Sequence, residues 1–490
     1  MALSADVPSF DPYSVSGAAA APYAYDSLVH VSASGRLMSG LAGHWRADSS
    51  SAVFTLRTGV TCSDKTVLKA SHVARSLTYA ADPRHRSAAV QQALPTVPLR
   101  VRADDARRTV TVSTASPYGF LLRAVGLLPV VCPAGLADPR SLVRETHGTG
   151  PYVLTATTTG GPYVLTRRHG YTWGPGGART GTAAAPARIV LSVVPEESTA
   201  ANLLLTGGLD IASVAGSDRA RLTGKGLYEA TVATVVGLSL FNERRGRPLG
   251  DPSVRRALVG VLDRAGLADV AAGGHGRPAA HLTGRGTVCH TTLTVPHLTR
   301  GAALSLLRKA GWRRDAAGRL RSARDGRPLR LRILSSPASG STLPAVAELM
   351  AVSWQALGVR TDLVEESLPA MVEAMYRDGD FDVVMGSSPG PSVPAQLAPF
   401  FSGPPPPAGL NFAHVHNARY ERLARQALGR TDTASCTRWN RAAQALLRDA
   451  DALPVADGTR ILYGRGVTFA VGDGGQLLPA TVKARAGGAR

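Results

Sequence analysis

The chain has 490 residues, 44% of them hydrophobic, with 55 Lys and Arg against 35 Asp and Glu, a formal charge of +20 at neutral pH. At about 150 residues per domain, this length argues for roughly three domains with sizeable cores. No run of about 18 apolar residues occurs, so no segment reads as a membrane-spanning helix.

So strong a positive charge favours anionic partners. The basic residues are spread along the chain, with one denser stretch at 300–334 that reads as helix, turn and strand. It contains no helix-turn-helix, zinc-finger or aromatic-basic RNA pattern, so a solvated arginine face is expected there and no nucleic-acid site.

From the N-terminus, 29–58 carries strand signals: a strand, a Gly turn and an extended run, then SAVFTLRTGVTC alternating apolar and polar. Helical spacing covers 68–81, with Ser71 the expected N-cap. A hairpin follows in RVRADDARRTVTVSTASP, then a short apolar helix or turn ending at Cys132. A second hairpin with a Gly-Gly turn starts at Gly148. RIVLSVVP, EESTAANLLLTGG and LDIASV then read as strand, helix and strand, an α/β layer. Beyond residue 238 a second lobe opens with a helix pair in SVRRALVGVLDRAGLADVAAGG. It continues as strand 329–334, helix 343–357, strand 360–364, helix 368–377 and buried strand 381–385, a βαβ pattern. PSVPAQLAPFFSGPPPPAGL is expected to be a proline-rich loop, since Pro404 to Pro407 fit no helix or sheet interior.

Cys62, Cys132, Cys289 and Cys436 show neither CxxC pairs nor zinc-ligand spacing. Two disulfides in an oxidising compartment are expected, with four buried thiols the alternative. Of three pairings, Cys62–Cys132 with Cys289–Cys436 keeps each pair inside one domain.

A series of short motifs resembles one family, the peptide/nickel-binding family 5 of ABC-importer solute-binding proteins. Phe10-Asp11-Pro12 is similar to an opening "LDP", and Tyr25-Asp26-Ser27-Leu28 to "YEGL". Gly35 to Trp45 resembles "G.lvPgLAesW", and Phe54 to Asp64 resembles "FtLRdGVkfsD", with Lys65 where glycine is usual. Gly148-Thr149-Gly150-Pro151-Tyr152 matches "GTGPY", Gly170 to Gly174 resembles "npdYwg" and Gly208 to Ile211 "GevDia". Phe241-Asn242 with Asp251, Val254, Arg255 and Asp263-Arg264 is similar to "FN…D.rVRqAl..aiDr", and Asp380-Phe381-Asp382 to "gdyD".

The resemblance implies an α/β fold of two lobes in three sub-domains (class II) that close by a hinge on a ligand held between them. Lobe one would comprise 1–46, 147–238 and 456–490, with 47–146 an inserted family-specific sub-domain, and lobe two 239–455. The implied activity is capture of a peptide-like, cationic or modified solute by a monomer with no cofactor, for delivery to an ABC permease and ATPase. It implies no enzyme and no nucleic-acid partner. The rival expectations are a binding protein co-opted in a secondary-metabolite pathway and a metal-chelate or haem carrier. The implied location is the periplasm or the outer face of the cell membrane. A signal peptide and lipid anchor are expected upstream of Met1, because only Ala2 to Asp6 stand before the "LDP" motif.

Peptide-binding members carry a "GW.AD" segment after "gdyD", whose acid pairs with the peptide ammonium. Here it is Gly386-Ser387-Ser388-Pro389-Gly390, with Ser387 for the Trp and Gly390 for the Asp. The backbone edge remains and the ammonium anchor is missing. Asp26 with Ser27, and Asn242, are further ligand candidates, with Tyr13, Tyr23 and Tyr118 as aromatic walls and core packing their alternative. Glu365 and Glu366 form a paired-carboxylate candidate for a cation. His414 and His416, two apart, are the best metal candidates if on a strand, and solvated histidines otherwise.

Overall fold

The computed structural model describes residues 1–485 except 15, 86, 88, 89, 91, 92, 96, 217, 389, 391 and 392. The chain divides into two compact units: Met1–Val232 with Leu428–Ala434 and Arg460–Arg490, and Ala233–Ala427 with Ser435–Thr459. The changes at 232/233 and 459/460 fall inside two long strands, Tyr228–Phe241 and Ala452–Gly464, each of which begins in one unit and ends in the other.

The first unit holds two four-stranded sheets. In one, Ala2–Leu3 pairs parallel with Arg188–Val193, followed by the antiparallel hairpin Tyr163–Arg167 and Tyr152–Thr157. The other runs Ala42–Ala47, Ser51–Leu56, Thr109–Thr114, Leu99–Asp104, all antiparallel. The alternation legible in the sequence sets its faces: Ala52, Phe54 and Leu56 are buried. Helix Ala70–Ala81 buries Ala70, Val73, Leu77 and Ala80 along one stripe. Its N-cap is Lys69, not Ser71. The Ser71 amide and hydroxyl both donate to Asp105, at 2.7 Å each, so an acid 34 residues away satisfies the helix start alongside the local contact of the Lys69 N–H with His72 Nδ1 at 3.3 Å.

In the second unit Arg330–Ser335 lies parallel to both Arg360–Glu365 and Val383–Gly386. Residues 238–241 flank Val383–Gly386 on its other side, antiparallel. Helix Leu343–Leu357 makes the first crossover and buries Leu343, Val346, Ala347, Met350, Trp354 and Leu357. Trp354, fully buried, donates its indole N–H to the Leu258 carbonyl at 2.9 Å. The expected proline-rich loop is more ordered than the sequence implied. A 3-10 turn, Pro394–Leu397, and a one-turn helix, Ala398–Phe401, bury Ala395, Leu397 and Phe401 before the proline run begins. Both start with Pro in the first turn, where the missing N–H costs nothing.

Both disulfides pair as the domain argument expects: Cys62–Cys132 in the first unit and Cys289–Cys436 in the second. Lys65, at the family's glycine position, has φ of +70° in the turn where its amide donates to the Cys62 carbonyl at 3.0 Å. That left-handed conformation explains why glycine is usual there.

Candidate functional site

In α/β sheets, ligand groups gather beyond the carboxyl ends of parallel strands. In the second unit three such ends lie level, because Ser335 is in register with both Glu365 and Met385. The edge therefore carries Ser335-Ser336, Glu365-Glu366 and Gly386-Ser387. Glu365 is exposed and Glu366 half-buried, its amide donating to the Ser335 carbonyl at 3.0 Å. Gly386 and Ser388 are half-buried, Ser387 and Gly390 exposed. Pro389 lies outside the described residues. Six sequence candidates thus belong to one edge: Glu365, Glu366, Gly386, Ser387, Ser388 and Gly390.

Two residues there escaped the sequence reading. The hydroxyls of Ser336 and of Ser239, the latter on the strand that flanks Val383–Gly386 on its other side, are buried with no hydrogen-bond partner among the described residues. Buried polar atoms are rarely left so, and those that are tend to mark a function or a missing ligand group. The usable signal was Ser-Ser-Pro directly after an apolar strand, a strand ending in small polar residues.

The other candidates are placed elsewhere. Asn242 is fully buried at the opposite end of Val383–Gly386. Its amide donates to the Phe381 carbonyl at 2.8 Å and its Oδ1 accepts from the Arg244 N–H at 3.1 Å, which makes it a turn brace. Tyr13 is no aromatic wall. Its buried hydroxyl sits 2.7 Å from Ser76 Oγ and donates to the Pro129 carbonyl at 2.9 Å. Tyr23 and Tyr118 are likewise buried. Ser27 turns its hydroxyl onto the Val29 carbonyl at 2.6 Å.

Asp26 is also buried, at 2% exposure. Its carboxylate accepts from the Tyr171 hydroxyl at 2.8 Å and the Trp173 indole N–H at 3.0 Å. Arg168 lies over the Trp173 ring at 5.5 Å. Burial pushes the Asp26 pKa up to about 7, against the pull of those hydrogen bonds and of Arg168. The neighbouring His30, with Nε2 3.8 Å from Asp26 Oδ1, is pushed down to about 4 by burial and stays neutral. The "GTGPY" motif completes this cluster. The Thr149 carbonyl also accepts from Trp173, at 3.1 Å. A Cβ on Gly148 or Gly150 would meet the Ala24 backbone at 2.2 or 2.4 Å. Motif residues that looked ligand-facing in the sequence therefore lock one another inside the first unit.

The second unit has a counterpart. Arg255, from the "rVR" motif, is buried and pairs with Asp451 at 2.6 Å and Glu243 at 3.2 Å. Asn417 donates to Asp451 at 2.7 Å. Burial, with Asp451 alongside, holds Glu243 well above the usual carboxylate range. The "gdyD" acid Asp382 pins strands together, accepting from Arg247 at 3.1 Å and from the Arg332 amide at 2.9 Å.

His414 and His416 do not form the two-apart strand pair. They lie in a turn stapled by Asn411, whose Oδ1 accepts from the Val415 N–H at 2.9 Å and whose amide returns to the Val415 carbonyl at 2.9 Å. His414 is half-buried with φ of +53°. The exposed His416 faces Glu421, 3.1 Å away. Among the described residues no group of three His, Cys, Asp or Glu is placed to hold a metal ion.

The fold is that of the two-lobed periplasmic solute-binding proteins. A substrate-binding protein of Microbacterium hydrocarbonoxydans, complexed with 4-hydroxybenzoate hydrazide, matches with a TM-score of 0.80 and 24% identity over 99% of both chains. The oligopeptide-binding AppA of Bacillus subtilis, in complex with a nonapeptide, matches at 0.81 and 17% identity, over 99% of this chain and 98% of that one. NikA of Staphylococcus aureus, in complex with Ni(L-His)2, matches at 0.76 and 16% identity over 99% of both. Residues 36–405 match the bacterial extracellular solute-binding proteins, family 5 middle region, and the chain belongs to that family. It is also similar to Protein XP55 of Streptomyces lividans, at 31% identity over 297 residues, 57% of this chain. That match spans 50% of the length of this curated relative.

Proposed function

We propose that the protein is the solute-binding component of an ABC importer, working outside the membrane and handing a small peptide-like ligand to a permease. The observation that carries the ligand class is the edge of the second unit. The exposed Ser387 and Gly390 and the half-buried Gly386 and Ser388 offer backbone and hydroxyl groups and no carboxylate, where peptide-binding relatives are expected to hold an ammonium. An extended ligand gains main-chain hydrogen bonds at such an edge. The unpartnered Ser336 and Ser239 hydroxyls add capacity for neutral polar groups. Recognition then rests on the peptide backbone or on a modified end, not on a free amine. Glu366, half-buried just past the end of Arg360–Glu365 on the same edge, supports a cationic side group in the same ligand.

The test is a thermal-shift and calorimetric panel of short peptides, N-acylated peptides, aromatic hydrazides and nickel–histidine. Saturable binding of a peptide-like compound, without turnover, is the expected result. Binding of nickel–histidine alone, or conversion of any panel member to product, overturns the proposal.

A further inference from the structure

The net charge is concentrated in one region. Residues 300–360 carry twelve Arg and Lys against three Asp and Glu, so nine of the chain's twenty net charges lie in this one-eighth of its length. The fold gathers them at one end of the second unit. Helix Arg300–Lys309 ends in the exposed Arg308 and Lys309. The small hairpin Trp312–Arg314 and Leu320–Ser322 follows, bearing exposed Arg313, Arg314 and Arg319. The Leu320 amide donates to the Gly358 carbonyl at 2.8 Å, which sets this hairpin against the turn that leads into Arg360.

Two features set this region apart from an ordinary solvated face. Arg313 is the cross-strand partner of Arg321, and Arg330 of Arg360. Like charges directly opposite one another destabilise a sheet. Asp315 relieves Arg321 at 2.8 Å and Asp362 relieves Arg330, which leaves one arginine of each pair facing outward. Beside these cations lies apolar surface. Helix Leu343–Leu357 exposes Ala345, Leu349, Val352 and Ala356, spaced along a single stripe. Gln355 donates to Thr361 Oγ1 at 2.7 Å, so Thr361, and two residues on Leu363, face the same flank. Val352 is 61% exposed, Leu363 46% and Leu349 39%. At the end of the stripe, Arg300 caps the Ala356 carbonyl at 2.7 Å.

We infer that this end of the second unit is a docking surface for an anionic phospholipid bilayer. Guanidinium groups match phosphate oxygens in a bidentate fork. The adjoining Leu349, Val352 and Leu363 suit the headgroup boundary, which a soluble polyanion does not offer. Charge complementarity and a flanking apolar stripe together define a lipid surface and not a nucleic acid or an acidic protein. The inference adds to the proposed extracellular role and stands without it, because its readout involves no solute.

The experiment is co-sedimentation of the full chain with phosphatidylglycerol/phosphatidylcholine vesicles and with pure phosphatidylcholine vesicles. Binding only to the anionic vesicles, weakening as salt rises, is expected. Triple reversal Arg313→Glu, Arg314→Glu and Arg319→Glu should weaken it about 100-fold. A control of equal charge in the first unit, Arg46→Glu, Arg100→Glu and Arg102→Glu, should weaken it less than about 5-fold. Val352→Asp with Leu363→Asp should also weaken it, about 10-fold. Circular dichroism checks that each variant is folded, and Arg313→Gln with Arg319→Gln replaces any that is not. Equal losses in the patch and the control sets would show a generic effect of net charge and overturn the inference. So would equal binding to neutral vesicles, or binding to polyglutamate and DNA as tight as to the anionic vesicles.

Discussion

In the first unit Asp26 is buried among neutral donors, Tyr171 and Trp173, while in the second Asp451 and Glu243 share the buried guanidinium of Arg255. All three acids belong to family motifs or contact a residue that does. The difference lies in what happens when a partner is lost. A carboxyl held by neutral donors takes up a proton and stays buried. A guanidinium remains charged at any accessible pH, and although Arg255 also donates to the Leu249 carbonyl at 2.7 Å, only its acids offset that charge.

The largest effect is therefore expected at Arg255. Asp451→Ala removes the 2.6 Å partner of this buried, permanently charged guanidinium and should cost about 3–5 kcal/mol in urea denaturation. A loss under about 1 kcal/mol would show that the cluster is hydrated and the contrast false. Next is the cross-link in the same unit, which closes 147 residues against 70 for the first-unit bond. Cys289→Ser with Cys436→Ser should cost about 2–4 kcal/mol, and slightly more than Cys62→Ser with Cys132→Ser, as chain entropy predicts.

The third test isolates Asp26. Its folded pKa of about 7 lies above the ordinary value of 3.8, so the native state binds the proton more tightly. The stability it contributes is full below about pH 4 and is lost as pH rises through about 7. Hydrogen exchange around 150–154 should show the first unit gaining on the order of 2 kcal/mol from pH 8 to pH 5. Asp26→Asn should flatten that dependence. An unchanged slope in the variant would assign the titration to another group. The smallest effect is expected at Lys65, where Lys65→Gly relieves the left-handed backbone and should stabilise by about 1 kcal/mol in thermal unfolding.

Much of this architecture was legible because its signals are local. Alternation set the faces of Ser51–Leu56, and the helix expected over 343–357 is the one found, Leu343–Leu357. The ordered motifs pointed to the family even where each was weak alone. What was not legible depends on distant partners. Asp105 reaches Ser71 across 34 residues, and Asp451 reaches Arg255 across 196. The strand Ala452–Gly464 and the return of 428–434 to the first unit carry no local sign of which unit they join. The site was half legible for the same reason. Gly386 to Gly390 followed from a motif position, but the Ser336 hydroxyl becomes conspicuous only once its neighbours are known to leave it unpartnered. Conversely, Tyr13, Asp26 and Asn242 stand in motifs and looked ligand-facing, and each turns its polar atoms onto its own unit.

The most direct measurement is calorimetric titration of the full chain with one peptide ligand and its N-acetylated counterpart. With no carboxylate at 387–390, acetylation should change the affinity less than about threefold, close to 0.6 kcal/mol. A loss of about a hundredfold or more would mean that a buried acid grips the ammonium after all, and would contradict the account.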